Sequence, residues 1–180
     1  MLTIKSKAPI KKEIDYNILS ENYNKVDFDN FDFNTNIDNL KDVELGANIL
    51  LDSISKNLHI CIVTDYDFDG ISSAVVLTKG IKNILKHKNT TTVVNKRIYG
   101  NGFNPRIVRK ILDINSDKKI DLIITADHGS NDDEYYIELK NKIKDLKIIL
   151  TDHHTISKYP KNVDAFINPM REDSTYDKSI

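Results

Sequence analysis

The chain has 180 residues, 39% apolar and 29% charged, with a formal net charge of -1, which allows one buried core and is ordinary for a soluble globular chain. No apolar run approaches the roughly 20 residues of a membrane span, and Met1 opens a polar, lysine-containing stretch without a signal-peptide core, so the expectation is a cytoplasmic protein with no membrane partner. The near-zero charge gives no overall electrostatic footprint of nucleic-acid binding, and with Cys61 as the one cysteine neither an intrachain disulfide nor a zinc–thiolate site can form.

Residues 1–35 are polar, rich in Asn and Asp and without clear periodicity, as expected of an N-terminal arm or lead-in, leaving residues 36–180 as the domain. From Asp38, a candidate N-cap, the positions Leu40, Val43, Ala47, Leu50 and Ile54 recur at helical spacing, with Leu51 widening the stripe until it stops near Asn57. Leu58–Thr64 reads as a strand with Cys61 inside it as a buried small hydrophobe. Ile71–Leu85 reads as a helix with Ala74, Val75, Leu77, Ile81, Ile84 and Leu85 on its apolar side.

Thr91–Ile98, rich in Thr and Val, predicts a second strand, and Pro105–Leu112 a helix with Pro105 in its first turn, where a missing amide hydrogen is harmless. Asp121–Thr125 and Lys147–Thr151 are the third and fourth strands, separated by a helix from about Asp132 to Lys144, and Val163–Ile167 is a fifth short apolar run closed by Asn168-Pro169. Strands alternating with helices imply βαβ crossovers, so the fold class is α/β, a Rossmann-like, mainly parallel sheet flanked by helices.

Three strand ends share one grammar, a short aliphatic run that stops in Asp with His or another Asp close behind. They are Asp65-Tyr66-Asp67-Phe68-Asp69-Gly70, Asp127-His128-Gly129 and Asp152-His153-His154. Alternate residues of a strand share a face, although a turn near Asp67 would redirect the last carboxylate. Carboxylates this close need a positive partner, and a divalent cation is the simplest one. A lone acidic Asp-Gly cluster is more often a solvated turn; three such ends in register at the carboxyl edge of a parallel sheet point to one ligand crevice. Carboxylates with imidazoles and no thiolates suit Mn²⁺ or Mg²⁺, with imidazole tilting the choice to Mn²⁺, and two ions roughly 3.5 to 4 Å apart would activate a water for in-line attack on phosphorus. Lys82, Lys86, His87 and Lys88, or Lys96 and Arg97, are candidate local basic patches.

The ordered set DYDFDG (Asp65 to Gly70), ADHG (Ala126 to Gly129) and TDHH (Thr151 to His154) resembles the DHH phosphoesterase superfamily. Within it the chain looks most like the N-terminal catalytic part of RecJ-type single-strand-specific exonucleases, which begin with a DxDxDG motif. Lys96-Arg97 through Gly100-Asn101-Gly102 is similar to the family's Arg and Gly-Tyr-Gly stretch, with Asn101 in place of Tyr, and Ala165 to Pro169 is similar to its Asn-Pro segment.

The resemblance implies that Asp67 and Asp69 bind metal with Asp65 beside them, that Asp127 bridges two ions, and that His153 and His154 are ligands, His154 also being a candidate contact to the scissile phosphate. Asp152 would orient the imidazoles, Arg97 would touch the substrate phosphate, and His128 is left unassigned. The implied activity is 5′-to-3′ hydrolysis of single-stranded DNA in repair or recombination. A small-substrate phosphoesterase acting on oligonucleotides or cyclic dinucleotides, and a non-catalytic replication-associated scaffold, are the alternatives. Family members carry a further Asp ligand and a substrate-gripping domain after this region. The expectation is therefore a fragment, a reduced form, or a protein needing a second chain.

Overall fold

The computed structural model describes residues 37–176; the arm expected over residues 1–35 lies outside them. Five strands, β1 (Ile60–Thr64), β2 (Thr90–Val94), β3 (Leu122–Ala126), β4 (Lys147–Thr151) and β5 (Ala165–Ile167), form one sheet in the order β2-β1-β3-β4-β5. Every pairing is parallel, with Thr64 of β1 level with Ala126 of β3, and Ala126 level with Thr151 of β4. The carboxyl ends that carry the three motifs therefore lie side by side. The order reverses between β1 and β3, the position where open α/β sheets leave a crevice for ligands.

Helices cover both faces: α1 (Val43–Ser55), α2 (Phe68–Lys79), α3 (Pro105–Asp117) and α4 (Asp133–Lys142). Strand alternation sends Ile60, Ile62, Leu122, Ile124 and Ile149 towards Ile49, Leu50 and Ile54 of α1 and Leu77 of α2. Cys61, Val63, Ile123, Ile148 and Leu150 go the other way, onto Ile107, Val108 and Ile111 of α3 and Tyr136 and Leu139 of α4. Every residue of β1 and β3 is buried, as expected of strands covered on both faces.

The structure moves several predicted boundaries. Asp38 sits in a short 3₁₀ turn (Ile37–Asn39), and α1 starts only at Val43, after Asp42 in the left-handed region (φ 62). The buried residues of α1 are Gly46 and Ser53, whereas Leu51 is exposed; small residues let this helix lie close to β5, and a Cβ on Gly46 would come within 2.9 Å of Ile167 Cδ1. Helix α2 begins three residues before the predicted Ile71, at Phe68, and gives way to a π-type turn (Gly80–Ile84) that shifts the register after it, so Ile84 and Leu85 are exposed rather than core; Val75, inside α2, is exposed as well.

Strand β2 stops at Val94, short of the predicted Ile98. The buried Asn95 amide donates to the carbonyls of Gly100 (2.9 Å) and Gly102 (3.2 Å), drawing the chain into a turn. Helix α3 runs past Leu112 to Asp117 and is capped by Asn104, whose Oδ1 accepts from the amides of Arg106 and Ile107.

Candidate metal centre

The first motif lies where β1 turns into α2. Asp65 is buried, and its Oδ1 accepts from the Tyr66 amide at 2.8 Å and from Asn95 Nδ2 at 3.4 Å. Asp67 caps α2, its Oδ1 accepting from the Gly70 amide at 3.1 Å, while Asp69 stands in the helix's first turn. Gly70 packs directly on the backbone of Asp65. A Cβ there would collide with the Asp65 carbonyl, which gives the glycine of DYDFDG its physical reason.

The second motif follows β3. Asp127 adopts φ 65, a left-handed conformation that Asp and Asn tolerate better than most residues. This kink directs its carboxylate into the crevice, where the side chain is only 4% exposed and Oδ1 lies 3.0 Å from His153 Nε2. Its other oxygen, Oδ2, is buried without a hydrogen-bond partner. Burial, then the neighbouring Asp67 carboxylate, pushes the Asp127 acid up from 3.8 to about 6. Asp67 itself is held below the usual carboxylate range by the Gly70 amide and by its contact with Asp127.

The third motif follows β4. Asp152 is buried and fully engaged: Oδ1 accepts from the amides of His153 (2.8 Å) and His154 (3.2 Å) and from His154 Nδ1 (2.7 Å), and Oδ2 from the Ser130 amide at 3.0 Å. Burial alone would raise this acid, but the hydrogen bonds from Ser130 and His154 outweigh it and hold it low. Against the opposing effect of burial, the same contact raises the His154 imidazole above its ordinary value. With Nδ1–H committed to Asp152, Nε2 of neutral His154 is the free lone pair.

The ligating atoms of Asp127, His153 and His154 lie within 4.8 Å of one another, and Asp67 adjoins Asp127. One carboxylate and two imidazoles around an unpartnered carboxylate oxygen fit a borderline divalent ion better than a hard, all-oxygen one. Asp65 and Asp69 do not join this cluster. Asp69 lines a cleft of about 360 Å³ with Phe68, Asp127 and His153, and Asp65 lines a second of about 390 Å³ with Tyr66, Arg97 and His154. Arg97 is exposed, its guanidinium 5.7 Å from the Tyr66 ring. His128, left unassigned from sequence, is buried against Phe103, with Nε2 at 3.2 Å from the Val63 carbonyl.

Sequence reasoning missed the supports. Asn168 donates to Ser130 Oγ (2.9 Å) and to the His154 carbonyl (3.0 Å), joining the loops after β3 and β4. Asn131 accepts from the Ser157 amide at 2.7 Å and adds a second tie. Asn168-Pro169 was visible as a motif; the polar residues just after ADHG carried the rest of the signal.

An all-parallel α/β sheet that gathers carboxylate and imidazole at its switch point defines a Rossmann-like protein with a candidate metal centre. The chain belongs to the DHH family: the model of the DHH family, N-terminal domain, matches residues 59–179. Among curated proteins it is 25% identical over 134 residues to the single-stranded-DNA-specific exonuclease RecJ of Haemophilus influenzae, covering 74% of this chain and 22% of that protein. RecJ of Salmonella typhimurium is 25% identical over 137 residues, covering 76% and 23%. The chain thus spans less than a quarter of the length of these relatives.

Among solved structures, exonuclease RecJ bound to manganese superposes with a TM-score of 0.63 at 25% identity, covering 74% of this chain and 32% of that one. RecJ of Thermus thermophilus in complex with Mn²⁺ gives 0.59 at 21% identity, over 76% and 18%, a likeness of fold. The expected α/β class and the resemblance to the RecJ N-terminal part are both borne out. Among the described residues no helix is long and apolar enough to cross a membrane.

Proposed function

We propose that this chain is the catalytic part of a metal-dependent phosphodiesterase, a 5′-to-3′ exonuclease on single-stranded DNA used in cytoplasmic repair or recombination. The observation that carries this reading is Asp127, whose oxygens reach His153 on one side and nothing on the other, beside Asp67 and within 4.8 Å of the His154 imidazole. Similarity to RecJ, named for single-stranded DNA and solved with Mn²⁺, supports the substrate and the ion.

In this reading Asp127, His153, His154, Asp67 and Asp69, with Asp65 beside them, would hold Mn²⁺ or Mg²⁺, two ions being expected. When bound, such ions supply an activated water and draw charge off the phosphate. The chain's own groups do the positioning. Asp152 fixes the His154 ring through Nδ1–H, Gly70 and the α2 amide hold Asp67, and Arg97 on the rim meets the phosphate.

The test is Mn²⁺-dependent digestion of single-stranded DNA labelled at either end, with the Asp127→Asn variant and a dinucleotide in parallel. Release from the 5′ end that is absent in the variant supports the reading. Cleavage of the dinucleotide alone transfers the site to small substrates, and Mn²⁺ binding without cleavage points to a required second chain.

A further inference from the structure

Helix α2 covers the sheet with one side and carries an apolar stripe on the other. Gly70 and Ala74 are buried, and Leu77 packs against the cluster of Ile60, Ile62 and Leu122. On the outer side Phe68, Ile71, Val75 and Val76 recur at helical spacing and are 47% to 82% exposed. Ile84 and Leu85 continue the apolar exposure past the π-type turn. These six are half of the twelve large apolar side chains exposed among the described residues, so the exposure is concentrated rather than scattered.

The charge around the stripe has one sign. From Gly70 to Leu112 the chain holds nine of its 26 Lys and Arg and none of its 27 Asp and Glu. The strands that α2 packs on, β1, β2 and β3, contain no carboxylate either. Lys79 falls on the stripe itself, one turn after Val75, and Lys82 and Lys86 flank Ile84 beyond it. The acids of this helix sit at its other end, where Asp67 and Asp69 belong to the metal centre.

An occupant of this face has to be apolar along its middle and anionic towards Lys79, Lys82 and Lys86. A second copy of the chain fits poorly, because an isologous contact sets the same lysines against one another. An anionic membrane surface would have to accept Asp67 and Asp69 beside Phe68. Ile71, Val75 and Val76 give a nucleobase no ring to stack on.

We infer that the outer face of α2 is a docking site for an acidic, amphipathic helix of a partner protein. With 12 residues, α2 is roughly 18 Å long. A helix of similar length laid along it covers Ile71, Val75 and Val76 with its own apolar stripe and turns carboxylates towards the three lysines. Phe68 joins this face to the metal centre, since it also lines the 360 Å³ cleft with Asp69, Asp127 and His153. A docked helix therefore borders that cleft, and its binding does not depend on the phosphodiesterase reading.

Fluorescence anisotropy of the full chain in EDTA tests this with a labelled helical peptide of about 15 residues, Leu on one face and Glu on the other, and a matched peptide with Lys in place of Glu. The Glu peptide should bind, and the Lys peptide roughly tenfold or more weakly. Val75→Ser/Val76→Ser should weaken the Glu peptide roughly tenfold by removing apolar area from the face. Lys79→Glu/Lys82→Glu should reverse the order of the two peptides, a gain that a misfolded variant does not show. Lys161→Glu, at an exposed lysine before β5 on the opposite edge of the sheet, should change neither. No binding by the wild type, equal binding of both peptides, an unreversed order in the lysine double variant, or an equal loss in Lys161→Glu overturns the site. Sedimentation velocity and phosphatidylserine vesicles complete the test: a dimer, or vesicle binding, that Val75→Ser/Val76→Ser abolishes gives the face to a second copy or to a membrane and overturns the partner helix.

Discussion

Asp127→Asn should stabilise the metal-free protein while abolishing its stabilisation by Mn²⁺. The folded acid titrates at about 6 against an ordinary 3.8, so between those values the folded state binds more protons than the unfolded one. Stability therefore falls as pH rises through this window and stays reduced above it. Two units correspond to about 3 kcal/mol as a ceiling. Asp67 is solvent-exposed and screening weakens the repulsion, so about 1 to 2 kcal/mol is the realistic cost at pH 8. Asparagine keeps an oxygen for His153, tolerates the left-handed φ of 65 and carries no charge for Asp67 to repel.

The variant should melt roughly 3 to 6 °C higher than wild type in EDTA at pH 8 and within about 1 °C of it at pH 4, where the wild-type acid is protonated. Saturating Mn²⁺ should raise the wild-type midpoint and leave the variant unmoved. Differential scanning calorimetry at both pH values, with and without Mn²⁺, reads all of this. A variant less stable than wild type in EDTA at pH 8, or one stabilised by Mn²⁺ as much as wild type, would refute the crowded-carboxylate account.

Mn²⁺ binding should release more protons at pH 6 than at pH 8, because Asp127 is about half-protonated at pH 6 and the Asp152 carboxylate, against burial, raises the His154 imidazole above its ordinary value. Calorimetric binding enthalpies in buffers of different ionisation heat give the number, and equal release at both pH values would contradict it. Asp152→Asn should lower Mn²⁺ affinity roughly 10- to 100-fold and drop the His154 pKa, since the carboxylate both orients and charges that ring; an unshifted imidazole titration by NMR would count against the role. Gly70→Ala should cost about 3 kcal/mol in urea unfolding because its methyl meets the Asp65 backbone rather than a flexible side chain. An unchanged midpoint would show that the β1–α2 turn has slack that its geometry does not display.

How much of this was legible in the sequence depended on whether a signal was local. The motif ends of β1, β3 and β4 were readable because an aliphatic run ending in Asp is a one-strand pattern, and β4 falls at Lys147–Thr151 as expected. The end of β2 was not, since Asn95 stops the strand by bonding to carbonyls five and seven residues ahead and to Asp65 at the end of another strand. The packing face of α1 was read only in part: Leu50 and Ile54 meet the sheet as expected, whereas Ala47 and Leu51 are exposed. Its apolar residues are abundant enough to mark several stripes, and the choice among them is made by Gly46 and Ser53, which allow close approach to the sheet. Hydrophobicity alone does not encode that preference.

The same distinction separates the metal ligands from what makes them work. Asp67 sits at the amino end of α2, where the helix dipole and the Gly70 amide favour the anion. Asp127 receives no amide and is the member of the pair that holds the proton. Below about pH 6 the two carboxylates thus stand in opposite protonation states, Asp67 held ionised by its cap and Asp127 kept protonated by burial and by the charge of Asp67. At pH values below about 6 a cation entering the site has to displace the Asp127 proton but none from Asp67, which is already ionised. That asymmetry explains why the crowding is tolerable without metal, and why the switch point between β1 and β3, rather than the acidic motif alone, defines the site.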